Sequence, residues 1–228
     1  MRVLADHGQP LHGVRRVTSA GAPVPPDVVA PNQVRIIAID DAPLPQWSQV
    51  RELAVGEVGE ITVAGPTATD SYFNRPQATA AAKISETLAD GRTQVVHRMG
   101  DVGYFDAQGR LWFCGRKTQR LETAHGPLYT EQVEPVFNAL DGIARTALVG
   151  VGPAGRQRPV LCVELQPGAA DTPALRERLR HEADAHAHTT RIEQFLMHPG
   201  FPVDIRHNAK IGREKLAIWA ATQVETHA

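Results

Sequence analysis

The run His97–Arg120, HRMGDVGYFDAQGRLWFCGRKTQR, constrains the fold more than any other part of this 228-residue chain. Val102–Phe105 and Leu111–Cys114 are short β-prone runs, and Asp106-Ala107-Gln108-Gly109 between them supplies a turn that ends in glycine, so the spacing predicts a β-hairpin. Asp101 follows Gly100 at the entry and Arg116 follows Gly115 at the exit. Antiparallel pairing would bring a carboxylate and a guanidinium to one edge beside flexible glycines. Two readings stay open from this stretch alone: a site for a polar ligand, or a solvated hairpin closed by an end-to-end ion pair.

A chain of this length can bury one large core or two small ones, and the change in pattern after Arg116 favours two. The formal net charge of −1 provides no basic field for nucleic acid or an anionic membrane surface, which leaves small solutes as the expected partners. Cys114 and Cys162 both sit inside apolar strand-like runs and read as reduced core thiols, the usage of a cytoplasmic protein. No apolar run reaches membrane-spanning length, and Met1–Asp6 lacks the apolar stretch of a signal peptide. Cytoplasmic localisation is the expectation.

Residues 1–33 are rich in proline and glycine, and Gly13–Ser19 leads into the stiff loop Gly21-Ala22-Pro23. That loop reads either as a backbone surface for a planar ring or as an ordinary rigid turn. Strands are predicted at Val34–Ile39, Glu60–Ala64 and Val95–Val96, with a polar loop carrying Trp47 and a helix over Pro76–Glu86. Beyond Arg116, strands and helices alternate as in an α/β unit. Thr130 is placed to cap a helix over Glu131–Asn138, and Arg145–Val151 and Pro159–Leu165 form an apolar strand pair. Thr172-Pro173 opens an amphipathic helix that buries Leu175 and Leu179; a short helix covers Ile192–Leu196, and a terminal helix runs from Arg213 to Val224. His181 and His186 are five apart, which is wrong for sharing zinc on one helix face, so this segment with nearby His188 reads as a solvated helix end and no metal ligand is assigned.

Five short motifs in one order resemble the acyl-adenylate-forming enzymes, which include acyl-CoA synthetases, peptide-synthetase adenylation domains and luciferases. Gly21-Ala22-Pro23 resembles their adenine-facing loop. Gly59-Glu60-Ile61, Gly65-Pro66 and Tyr72-Phe73-Asn74-Arg75-Pro76 resemble a second segment. Gly100-Asp101-Val102-Gly103-Tyr104 is similar to the ribose-binding motif, and Gly115-Arg116-Lys117 to the hinge motif. Asn208-Ala209-Lys210-Ile211 with Arg213 and Leu216 is similar to the motif of the catalytic lysine. On local sequence alone Lys210 reads as a surface lysine in a loop before the terminal helix; the ordered set of motifs reverses that. Finer details resemble the β-lactone synthetases of bacterial long-chain olefin biosynthesis, among them His97-Arg98-Met99-Gly100-Asp101 and Phe201–Lys210.

The resemblance implies an α+β and α/β architecture: a partial, β-rich piece of the large adenylating domain, residues 1–117, hinged at Thr118 to a mobile α/β domain, 118–228. It implies ATP and Mg²⁺, with Lys210 catalytic and Gly21, Ala22, Pro23, Asp101 and Arg116 at the nucleotide. A carboxylate such as Asp101 can accept from both hydroxyls of a ribose, and Arg116 offers a planar fork near the same sugar and the α-phosphate. The implied reaction activates a long-chain β-hydroxy fatty acid as an acyl-adenylate, then closes its own hydroxyl onto the carboxyl to give a β-lactone and AMP. Olefin-pathway proteins are the implied protein partners. Fatty-acyl-CoA ligase chemistry is the alternative, although Thr123-Ala124-His125-Gly126-Pro127 replaces the Ser-Gly-Gly-Glu loop that helps ligases admit coenzyme A. Thr118 stands where many relatives carry an acidic hinge residue. The phosphate loop that relatives carry upstream of Gly21, and the metal-binding glutamate loop expected between Val29 and Ala30, have no counterpart. The chain therefore reads as truncated and internally deleted, which admits a third reading, a dead remnant serving as a binding module.

Overall fold

Alternating apolar residues build the first of two units, and the division between them falls between Phe113 and Cys114. The computed structural model describes residues 32–66, 68–204 and 207–226, so the Gly21-Ala22-Pro23 loop lies outside the described residues. In the first unit β1 (Gln33–Ile37), β2 (Gly59–Ala64), β3 (Lys83–Thr87) and β4 (Thr93–Phe105) lie in the order β1-β2-β4-β3, each neighbouring pair antiparallel, and β5 (Leu111–Arg116) pairs with β4. Consecutive side chains point to opposite faces of a strand. Ile37 therefore packs with Ala64, Ile84 and Val96 on one face, while Ile36 packs with Ile61 and Leu111 on the other.

Two sequence expectations change in this unit. The separate strands at Val95–Val96 and Val102–Phe105 are one strand of 13 residues, β4. The helix expected over Pro76–Glu86 stops at Ala82 (α1, Pro76–Ala82), and Lys83 turns extended at φ −125°. From there pairing with β4 overrides the helical propensity of the alanines: Ile84 enters the core, and Glu86 is tied to Arg35 at 2.5 and 2.6 Å beneath Trp47. The hairpin β4–β5 forms as expected. Gly103 is required in it, because a Cβ there would collide with the backbone oxygen of Trp112.

The second unit begins with a ribbon of β6 (Leu121–Thr123) and β7 (Gly126–Leu128), followed by α2 (Thr130–Asn138). Its sheet has the order β10-β9-β8, from β8 (Ile143–Val151), β9 (Arg158–Leu165) and β10 (Gln194–Met197). Helices α2 and α3 (Pro173–Ala185) pack on one face through Val133, Phe137, Leu175 and Leu179. On the other face α4 (Arg213–Thr226) packs through Leu216, Ala220 and Val224. Asn138 Oδ1 accepts from the Thr146 amide at 2.7 Å and Glu134 Oε1 from the Leu148 amide at 2.7 Å, so α2 is stitched along the outer side of β8.

Three local expectations are corrected here. The helix expected at Ile192–Leu196 is the strand β10, held parallel to β9, because Phe195 fills the core beside Phe137 and the backbone pairs with Leu161 and Cys162. Thr130 does not cap α2; it is the first helical residue, buried, and the extended residue before it is Tyr129. Lys210 lies on a strand, β12 (His207–Ile211), paired with β11 (Val203–Asp204), and not in a loop.

Both cysteines are free and buried, Cys114 in β5 and Cys162 in β9. Desolvation pushes each thiol up to about 12. Because the thiolate is the reactive form, Ellman's reagent at pH 8 should titrate neither thiol in the native protein and both in denaturant; a fast native reaction at either would contradict the packing. Among the described residues no helix is long and apolar enough to cross a membrane.

Candidate active site

The register of β4 against β2 slips at the candidate nucleotide residue. Glu60 faces Val102 but Thr62 faces Arg98, so Met99, Gly100 and Asp101 are set against Ile61 alone. Gly100 takes φ 68°, a left-handed backbone that costs glycine little. A bulge of this kind re-aims a side chain, and Asp101, half-buried, is the side chain that follows the kink.

The residue beneath the bulge is one that sequence reasoning passed over. Arg98 is 3% exposed and donates to Glu60 Oε2 from Nε at 3.0 Å and from Nη2 at 2.7 Å. It also donates to the carbonyls of Ala42 at 2.8 Å, of Ala81 at 3.3 Å and of Asp40. One guanidinium thus ties β2, the 40–42 loop and the end of α1 under the strand that carries Asp101. The signal the sequence carries is an arginine inside a β-patterned run, with Glu60 in the neighbouring strand.

At the far end of the hairpin Asp106 closes the turn. Its carboxylate accepts from the amides of Gln108 and Arg110, from Arg110 Nε at 2.7 Å and from Trp112 Nε1 at 2.8 Å. Desolvation pushes this carboxyl up, but the bonds from Trp112, Arg110 and Gln108 outweigh it and hold it at about 2. A depressed carboxyl stabilises the fold above the ordinary value of 3.8, and that contribution is lost as pH falls toward about 2. Fluorescence of Trp112, in a variant retaining only that tryptophan, should titrate with a midpoint near 2; a midpoint at the ordinary carboxylate value would show that the turn bonds are not made.

The second unit holds a cavity of about 600 Å³ whose lining includes Thr118, Arg120, Lys210 and Arg213. Thr118 reaches it from a short 3₁₀ turn, Lys117–Gln119, and Lys210 from β12, where it is exposed. Two of the cations are already matched: Arg120 by Glu122 at 2.6 Å, and Arg213 by Glu134, to which Nη2 donates at 2.8 Å. Glu134 is 6% exposed; desolvation pushes its carboxyl up while the Arg213 bonds oppose that. The structure thus brings Thr118 and Lys210 to one cavity. Arg116 stands exposed at the end of β5, and Asp101 belongs to the first unit. Gly115, at φ 130°, precedes Arg116, and a Cβ there would meet Thr130 Oγ1 at 2.5 Å. Among the described residues no three His, Cys, Asp or Glu side chains converge where Mg²⁺ could be held.

No protein-family model matches the chain. It is 64% identical, over 280 aligned positions covering all of the chain and 51% of the relative, to an olefin β-lactone synthetase of Stenotrophomonas maltophilia K279a. It is 58% identical to an olefin β-lactone synthetase of Xanthomonas campestris pv. campestris, over 98% of the chain and 50% of the relative. The chain spans about half the length of these relatives. An alignment of 280 positions for 228 residues also means that the matched span of the first relative includes residues without a counterpart here. Among solved structures, the anthranilate CoA ligase AuaEII in complex with anthranoyl-AMP matches 85% of the chain and 34% of its own length, at a TM-score of 0.65 and 19% identity, a likeness of fold.

Proposed function

The chain is homologous over its whole length to the olefin β-lactone synthetases, and so to the acyl-adenylate-forming enzymes; from that premise we propose that it serves ATP-dependent activation of a long-chain β-hydroxy fatty acid and its closure to a β-lactone. The observation that carries the reading is that Thr118 and Lys210, 92 positions apart in sequence, line one cavity of the second unit, Lys210 within a family motif and Thr118 directly after one.

In this reading Asp101, re-aimed by the bulge, accepts hydrogen bonds from the ribose hydroxyls, and Arg116 offers its fork to the sugar and α-phosphate. An adenine-facing role for Gly21, Ala22 and Pro23 belongs to the same proposal. The substrate carboxylate oxygen attacks the α-phosphorus, the bond to pyrophosphate breaks, and Lys210 offsets the negative charge that builds on the reacting oxygens. The β-hydroxyl oxygen then bonds to the activated carbonyl carbon and releases its proton to solvent, while the bond from that carbon to the AMP oxygen breaks and AMP leaves with the electron pair and the oxygen that came from the carboxylate. No thiol takes part. Thr118, which lines the same cavity as Lys210, is the proposed pivot between the two steps. Mg²⁺, when bound, would neutralise the triphosphate, and the enzymes that supply the hydroxy acid or consume the lactone are the proposed protein partners. A soluble cytoplasmic setting suits those substrates.

The test incubates the purified protein with a 3-hydroxy fatty acid, ATP and Mg²⁺. Lactone and AMP formed without coenzyme A support the proposal, and strict dependence on coenzyme A replaces it with the ligase. A second reading, that the chain is a catalytically dead remnant that binds but does not turn over, is favoured by the aligned residues it lacks. Nucleotide binding without any product would select it.

A further inference from the structure

The strand that carries Lys210 is one arm of the β11–β12 ribbon, and both feet of that ribbon are held by carboxylates from outside it. At the entry, Glu164 of β9 accepts from the amide of Phe201 at 2.6 Å, and Glu164 is itself fixed by Arg145 of β8, whose Nε donates at 3.0 Å. At the exit, Arg213, which follows β12 after Gly212, is gripped through both Nη atoms by Glu134 of α2. The Glu134 carboxylate accepts at the same time from the Leu148 amide in β8. Between the feet, the Gly212 amide donates to Pro202 at 2.7 Å and closes the base. A two-stranded ribbon has little stability of its own, so its position is set where it is anchored.

We propose that Glu134 and Glu164 are positioning residues for Lys210, clamping the two feet of the β11–β12 ribbon so that the lysine is presented from a preorganised arm. The proposal rests on the catalytic reading of Lys210 given above. The pair Glu134–Arg213 spans 79 positions and Glu164–Phe201 spans 37, so neither clamp arises from local chain geometry. A single foot would leave the ribbon free to swing about it. Two feet on different elements, α2 and β9, remove that freedom.

The test uses the full chain and two mild variants, Glu134→Gln and Glu164→Gln, each able to keep an acceptor in place while losing the charge. Amide hydrogen exchange is compared between the segment 203–212 and the sheet strands β8 and β9. Exchange in the ribbon should rise about tenfold or more in either variant while the sheet core stays protected, the signature of local and not global opening. Glu164, the more exposed of the two, keeps the test decisive if the Glu134 variant folds poorly. An unchanged ribbon, or a rise shared equally by β8 and β9, overturns the proposal. In the lactone assay both variants should lower kcat by about ten- to a hundredfold with the KM for ATP unchanged, since misplacing a catalytic group by about 1 Å has effects of that order. A loosened ribbon with undiminished kcat overturns the link to Lys210 and leaves the functional reading standing. An unaltered protein without turnover instead overturns the functional reading, while the exchange result still decides whether the ribbon is clamped.

Discussion

Replacing Arg98 by methionine should destabilise the first unit by about 3–5 kcal/mol, the usual consequence of removing one partner from a buried ion pair. The side chains of Arg98 and Glu60 are 2% and 1% exposed. Removing the guanidinium therefore leaves a carboxylate without charge compensation in a dry interior, and the carbonyls of Asp40, Ala42 and Ala81 lose a donor at the same stroke. The double variant Arg98→Met, Glu60→Leu should recover part of the loss, because the charge goes with its partner; the three carbonyls keep recovery incomplete. Urea denaturation followed by far-ultraviolet circular dichroism measures both. A single-variant loss below about 1 kcal/mol would mean that the pair is solvated and the clamp absent.

For Lys210 the expected effect falls on rate and not on stability. If Lys210 meets the reacting carboxylate and the α-phosphate in the transition state, Lys210→Ala should lower the adenylation rate by roughly a hundredfold to a thousandfold, the scale seen when one preorganised electrostatic contact is lost. The exposed position of Lys210 on β12 means that the variant should fold as the parent does. Asp101→Ala should differ, because ribose hydroxyls are held alike in ground and transition states, and should show mainly as weaker ATP binding. Pyrophosphate release and equilibrium nucleotide binding separate the two. Wild-type turnover in Lys210→Ala, or its failure to fold, would remove the lysine from the mechanism.

What could be read in advance was what period and local chemistry encode. The apolar pair Arg145–Val151 and Pro159–Leu165 stands as β8 and β9, and Thr172 caps α3 by accepting from the Leu175 amide at 3.2 Å. The hairpin β4–β5 announced itself through its Asp106–Gly109 turn. The misreadings lie where a distant partner decides. Phe195-Leu196 carries no local preference strong enough to call for a strand, and becomes one because β9 offers a parallel partner across the crossover helix α3. The alanine-rich stretch Ala78-Thr79-Ala80-Ala81-Ala82 suggests a longer helix, but Ile84 gains more from the sheet core. Of the candidate residues, Lys210 and Asp101 are legible as motif letters, whereas the bulge at Asp101, the Arg98 clamp and the Glu134–Arg213 grip are pairings over long sequence separations that no window along the chain contains.

The stitching of α2 to β8 bears on how copies of this protein meet one another. An outer strand with open amides is a template on which a second chain can add a strand, the first step toward disordered association. On β8 the amides of Thr146 and Leu148 are occupied by Asn138 and Glu134, so an incoming strand would have to displace two side chains, one of them a carboxylate gripped by Arg213. The same carboxylate that steadies the Lys210 ribbon therefore also denies that side of the sheet to a neighbour, and variants that remove it should be judged for self-association as well as for activity.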